Sequence, residues 1–140
     1  MTDSHDLVRF LLAQDGVYQV ALGEIRRGAK RSHWMWFIFP QIAGLGRSSM
    51  ARRFAITSIA EAQAYLDHPL LGARLRECVS ALANLSDADA GHVFGTIDAM
   101  KLKSSLTLFD AVGGGPLFTA AIDRWFGGEK DELTLQILRE

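Results

Sequence analysis

Asp98, Lys101 and Ser105 stand three and four residues apart in a stretch of helical periodicity, a spacing that puts all three on one face. At about 100° per residue, with Asp98 at zero, Leu102, Leu106 and Phe109 fall at about 20 to 80° and Ile97 and Leu108 at about 260 to 280°. Asp98, Lys101 and Ser105 then form a polar stripe flanked by apolar residues, while Lys103, Thr107 and Asp110 lie on the opposite side, expected to face solvent. A lysine within an apolar face is costly unless its ammonium is paired or reaches a polar cavity. Asp98 is therefore its partner or a fellow lining residue, and a lysine lining a cleft serves as a base or as an anion ligand. In the bland alternative Lys101 snorkels to the surface and Asp98 complements the helix N-terminus.

A second group surrounds the run Ser32-His33-Trp34-Met35-Trp36-Phe37-Ile38-Phe39-Pro40-Gln41. His33 is a candidate for proton transfer or for ligating a phosphate, and Trp34 and Trp36 offer ring faces on which a base or sugar stacks. The same residues are core material, and the apolar run favours that use, with His33 packed and one ring nitrogen satisfied. The catalytic candidates are thus His33, Asp98 and Lys101; the ligand-binding candidates are Ser32, His33, Trp34, Trp36, Gln41, Lys101 and Ser105. Between Ile25 and Ala60 there is no acidic residue but seven cations, which leaves eight basic against sixteen acidic side chains elsewhere. Arg26, Arg27, Lys30 and Arg31 lie close together within that sector and are expected to steer anions toward it, unless acids from other elements pair with them.

Other chemistries find little support. His5, His33, His68 and His92 are scattered without metal-ligand spacing, so no metal is expected, and no cofactor is implied. Gly113-Gly114-Gly115-Pro116 lacks the spacing and lysine of a phosphate-cradling loop and reads as a linker. Lys101 and Lys103 beside Ser104 and Ser105 run in the reverse order of the serine acyl-enzyme motif.

The elements that must position these groups read as helices. Leu7, Phe10 and Leu11, then Val17 to Ile25, form two short ones with a break at Asp15-Gly16, and Gly28 ends the second. The aromatic run is read as a helical turn rather than a strand, closed by Pro40; residues 44–49 form a loop, and Ala51 to Ile56 could extend either way. Ser58 and Glu61 fit a capping box for a helix to about Asp67. Pro69 opens a helix ending near Asn84, Ser86-Asp87-Ala88-Asp89 starts a short one stopped by Gly95, and Thr96 caps a helix from Ile97 to about Val112. Pro116 begins a helix closed by Gly127-Gly128, and a last one covers Asp131 to Arg139. The expectation is one all-α domain, residues 1–140, of seven or eight short helices without internal repeats.

Composition agrees: 49% apolar and 22% charged residues suit a globular chain able to bury a core. The longest apolar run, Trp34 to Phe39, is far short of the about 20 residues a spanning helix needs. Nothing resembles an export signal in the polar Met1 to Asp6 segment, so the expectation is a cytoplasmic protein without membrane contact, and a monomer. Cys78, flanked by Leu75, Val79 and Leu82, reads as a small core residue.

The aromatic run followed by Gly44-Leu45-Gly46 closely resembles the signature of bacterial domain-of-unknown-function family eighteen-ten. The likeness continues through Ala64-Tyr65-Leu66-Asp67-His68-Pro69-Leu70-Leu71-Gly72, Phe94-Gly95, Asp98, Lys101-Leu102, Ser104-Ser105 and Asp123-Arg124-Trp125-Phe126. It implies a mainly α-helical single domain and carries no established activity or catalytic residue. Proteins of this kind are sometimes labelled calpastatin; such inhibitors are disordered polar repeats, which this apolar, repeat-free chain is not. The order of an aromatic segment and then a helix with Asp and Lys is also similar to that of N-glycosidases acting on NAD and ADP-ribose derivatives, which suggests a ligand class only. The resulting expectation is a phosphorylated or nucleotide-like small molecule bound between segment 32–41 and helix 97–112, with no decision on whether a reaction follows. The alternatives are nucleic-acid binding through the basic sector 26–53 and a non-enzymatic protein-interaction module.

Overall fold

In a computed structural model of the protein, which describes residues 5–86 and 89–140, the chain forms an all-α domain around one apolar core. Ten helices occur among the described residues: α1 (Val8–Gln14), α2 (Tyr18–Arg27), α3 (Met35–Ile38), α4 (Ser49–Arg53), α5 (Ile59–Asp67), α6 (Leu71–Ala83), α7 (Ala90–Phe94), α8 (Thr96–Ala111), α9 (Pro116–Phe126) and α10 (Glu132–Arg139). The count exceeds the expected seven or eight because single helical turns form within stretches that carry no full period. One is α4, whose first turn is held by the Ser48 hydroxyl accepting from the Ala51 N–H at 3.1 Å. Another is α3, one turn of the aromatic run, ending before Pro40. An isolated parallel bridge, Ile42 to Ile56, ties the segments on either side of α4 together.

Several helix boundaries follow the local chemistry of the chain. Gly28, at φ 70°, closes α2 in the left-handed region where a side chain would be strained. Ser58 caps α5 through the Glu61 N–H at 3.0 Å, but the capping box is only half formed. The Glu61 carboxylate accepts instead from the Thr57 hydroxyl at 2.7 Å and from Arg9 at 2.7 Å. His68, pushed to extended backbone by Pro69, accepts at Nδ1 from the Leu70 and Leu71 N–H groups just at the start of α6, which begins two residues later than Pro69. Thr96 does not cap α8: Gly95 holds that position and Thr96 is the first helical residue. Of the expected start Ser86-Asp87-Ala88-Asp89, Asp87 and Ala88 lie outside the described residues, as do Met1 to Ser4 of the expected polar terminus. Asp89 caps α7, its carboxylate accepting from Gly91 N–H at 2.9 Å.

Helix α8 is central, touching α3, α5, α7, α9 and α10. Phe109 on α8 packs on Tyr65 of α5 and Phe118 of α9, and Phe94 links Trp34, Phe39 and Trp125. The face of α8 carrying Lys103, Thr107 and Asp110 is not open to solvent. The chain between α9 and α10 crosses it: Thr107, fully buried, accepts from the Asp131 N–H at 2.9 Å, Lys103 pairs with Glu129, and Asp110 pairs with Lys130 at 3.2 Å. Cys78 is buried, and burial pushes its thiol up to about 12, which leaves it protonated and unreactive at neutral pH. No helix of the described residues is long and apolar enough to cross a membrane.

Candidate functional site

Two polar devices hold the aromatic segment against α8. The first is Glu24 near the end of α2, a buried carboxylate that accepts from Arg31 N–H at 2.8 Å, Ser32 N–H at 2.9 Å, the Ser32 hydroxyl and Trp34 Nε1–H at 2.9 Å. Burial alone would raise the pKa of such a carboxyl, but the donors, Ser32 Oγ–H foremost, outweigh it and hold the group down at about 2. The second is Lys30, whose side chain is only 7% exposed. Its ammonium lies over the Trp34 ring at 5.0 Å, donates to the Ser32 carbonyl and pairs with Asp98 Oδ2 at 2.8 Å. Asp98 Oδ1 in turn stands 3.5 Å from the Lys101 ammonium, which lies 4.7 Å above the ring of Trp36. Two ammonium groups therefore share one carboxylate, and the cluster keeps one net positive charge.

That surplus borders a cleft of about 340 Å³. Its polar wall includes Trp36, Gln41, Arg47, Lys101, Ser104 and Asp131. Ile97, Met100 and Leu133, all exposed, form an apolar rim. Ser104 and Asp131 are occupied: the hydroxyl and carboxylate stand 3.1 Å apart, and Asp131 caps α10 through the Thr134 N–H at 3.2 Å. The Arg47 guanidinium and the Gln41 carboxamide, by contrast, have no hydrogen-bond or ion-pair partner among the described residues. Two other grooves are somewhat larger, about 420 Å³ along α10 and about 380 Å³ beside α1. The first is lined by no cation; the second carries Arg52 and Arg53 beside Arg9, but Arg9 is consumed by Glu61 and four carbonyl groups, Asp6 adds negative charge, and no Phe, Tyr or Trp lines it. The Trp36–Lys101 cleft is the one that joins an aromatic face to uncommitted cationic and amide groups, the combination that grips a flat anionic molecule.

A family model described as "Protein of unknown function (DUF1810)" matches residues 4–138. The chain belongs to the DUF1810 family. The crystal structure of the conserved hypothetical protein Rv1873 from Mycobacterium tuberculosis is similar at 44% identity and a TM-score of 0.96, over 99% of each chain. No curated protein matches the chain.

In this DUF1810 protein the sequence-derived candidates divide. Trp36, Gln41 and Lys101 line the cleft; Ser32, His33, Trp34 and Ser105 do not. Trp34 is fully buried with its indole N–H on Glu24, so it is core and offers no ring face to a ligand. Ser32 is tied to the same carboxylate. Ser105 is buried with its hydroxyl unpartnered, while Ser104, one residue earlier, reaches the cleft side of α8. His33 is exposed and away from the cleft wall, and Asp98 is engaged by two lysines rather than free to act as a base.

The expected steering cations divide as well. Lys30 is a buried structural ion pair, not a surface charge. Arg26 stands 3.9 Å from Glu77, both exposed, while Arg27 and Arg31 are exposed and their guanidinium groups have no carboxylate partner among the described residues. None of these four lines the cleft; the arginine that does is Arg47. In the sequence Arg47 is one of the seven cations of the acid-free stretch, with nothing in its type to set it apart. Its signal was its place beside Gly44-Leu45-Gly46. Glu24 carries no periodic signal and sits one residue outside the acid-free stretch.

Proposed function

We propose that this protein binds a phosphorylated or nucleotide-like small molecule in the cleft between the end of the aromatic segment and α8. The observation that carries the reading is the Lys101 ammonium held 4.7 Å over Trp36 by Asp98, on the wall of a cleft that also presents the unpartnered Arg47. Lys101 and Arg47 supply the charge-assisted hydrogen bonds for a phosphate, Gln41 supplies an amide donor and acceptor, and Trp36 with Ile97 and Met100 supplies apolar area for a base or ring. The reading is of binding alone: Asp98 is doubly paired and His33 stands apart, so no proton-transfer step is assigned to either.

Nucleic-acid binding through the whole basic sector is less favoured, because Lys30 is withdrawn into the interior and Arg26 has an acidic neighbour. The reading is tested by calorimetric titration of adenosine 5′-monophosphate and inorganic phosphate into the wild type, Lys101→Gln and Trp36→Leu. Binding of the nucleotide to the wild type, weakened about tenfold in Lys101→Gln, is the expected result. Equal affinity in all three proteins, or no binding at all, would remove the cleft from consideration.

A further inference from the structure

The Trp36–Lys101 cleft has a neighbour. A second, smaller cavity of about 140 Å³ adjoins it, and Gln41, Gly46 and Ala51 are walls of both. No acidic residue lines this second cavity, and its one charged wall residue is Arg52. Arg52 is exposed, and its guanidinium has no hydrogen-bond or ion-pair partner among the described residues. The loop between the cavities adds donors. The backbone N–H groups of Gly44, Gly46, Arg47 and Ser48 donate to no acceptor among the described residues, although their neighbour Ala43 is bonded to Ile56 at 2.8 Å. Gly46 is packed so closely that a Cβ there would sit 2.5 Å from the Ala51 Cβ, so the loop backbone itself forms the shared wall. Backbone amides without an acceptor carry partial positive charge.

Lys101, Arg47, the loop and Arg52 thus line two neighbouring cavities that share Gln41, Gly46 and Ala51, and the one acid lining either, Asp131, is taken up in capping α10. A single phosphate held at Lys101 and Arg47 would leave Arg52 and part of the loop unused. We propose that the ligand carries at least two linked phosphates: a nucleoside diphosphate or triphosphate whose base lies in the Trp36 cleft and whose terminal phosphate enters the second cavity at Arg52. This rests on the binding reading above and adds to it the length and charge of the ligand.

The test is calorimetric titration of adenosine 5′-mono-, di- and triphosphate, without divalent metal, into the wild type, Arg52→Gln, Lys101→Gln and the remote surface variant Arg27→Gln. Arg52 makes no contact that folding depends on, and thermal melting checks that its variant is intact. The wild type should bind the diphosphate about tenfold more tightly than the monophosphate. Arg52→Gln should abolish that difference without changing monophosphate affinity, Lys101→Gln should weaken both, and Arg27→Gln should change neither. Equal affinity of the wild type for mono- and diphosphate overturns the proposal while leaving the cleft reading intact. So does an Arg52→Gln variant that retains the difference, or a 5′-phosphorylated single-stranded oligonucleotide that outcompetes the triphosphate. If no nucleotide binds at all, the cleft reading itself fails, and this inference with it.

Discussion

The Glu24 carboxylate receives donors that all belong to Arg31, Ser32 and Trp34, so its charge fixes how the chain leaves α2 and enters the aromatic segment. Its carboxyl, held at about 2 against an ordinary 4.5, makes folding stability depend on acid. Because the folded value is the lower one, the contribution is complete above about pH 4.5 and is lost as pH falls toward 2. Denaturant unfolding of the wild type at pH 6 and pH 3 should show that loss. Glu24→Gln should be less stable at pH 6 by about 2 to 4 kcal/mol, with a smaller gap from the wild type at pH 3. An equal gap at both values would show that the carboxylate charge is not what the donors recognise. Neither this residue nor its role was legible beforehand, since the turn at Gly28 that returns Ser32 and Trp34 to Glu24 leaves no periodic trace. Lys101 was legible because its peculiarity is local: a cation at helical spacing among apolar residues, three positions from an acid.

Helix α8 shows where reading one element by its own period succeeds and where it stops. The periodicity marks Leu102, Leu106 and Phe109 as core, and all three are buried. The angular map also assigns Ile97 to an apolar patch and Thr107 to solvent, and the structure reverses both: Ile97 is 72% exposed and Thr107 is fully buried. A helix near the centre of a small α domain is covered on several sides, so one amphipathic stripe does not describe it. The cover over Thr107 comes from the turn before α10, whose docking no property of α8 announces. The two readings differ in a measurable way. Thr107 Oγ1 accepts from the Asp131 N–H and donates to the Lys103 carbonyl at 2.8 Å. Thr107→Val keeps the shape and removes both bonds, leaving a covered N–H without an acceptor, and should destabilise the protein by about 1 to 3 kcal/mol. A solvent-facing threonine would give a change within about 0.5 kcal/mol, and that outcome in an equilibrium unfolding titration would contradict the docking of α10.

Charge along the chain is segregated, yet the folded protein does not present the acid-free stretch as one basic surface. The two acids that bracket it, Glu24 and Glu61, are both buried, and each gathers donors from the stretch or its edge. Glu24 anchors the beginning; Glu61 with Thr57 and Arg9 anchors the end and ties it to α1. Between these anchors Trp34 meets Phe94 at 6.4 Å between ring centroids, and Phe94 meets Trp125 of α9 at 6.4 Å, so aromatic contact runs from the stretch into the helical core. The buried side chains of both parts form one cluster. A stretch pinned at both ends and continuous with the core in the middle cannot open without exposing that core, which couples its unfolding to that of the helices packed on it. Tryptophan fluorescence, which samples Trp34 and Trp36 in the stretch and Trp125 outside it, should report the same urea midpoint as helical circular dichroism. Two separated midpoints, with fluorescence changing first, would mean that residues 25–60 open on their own. The Trp36–Lys101 cleft would then be built on a segment less stable than α8, and ligand affinity would fall with denaturant before the helices melt.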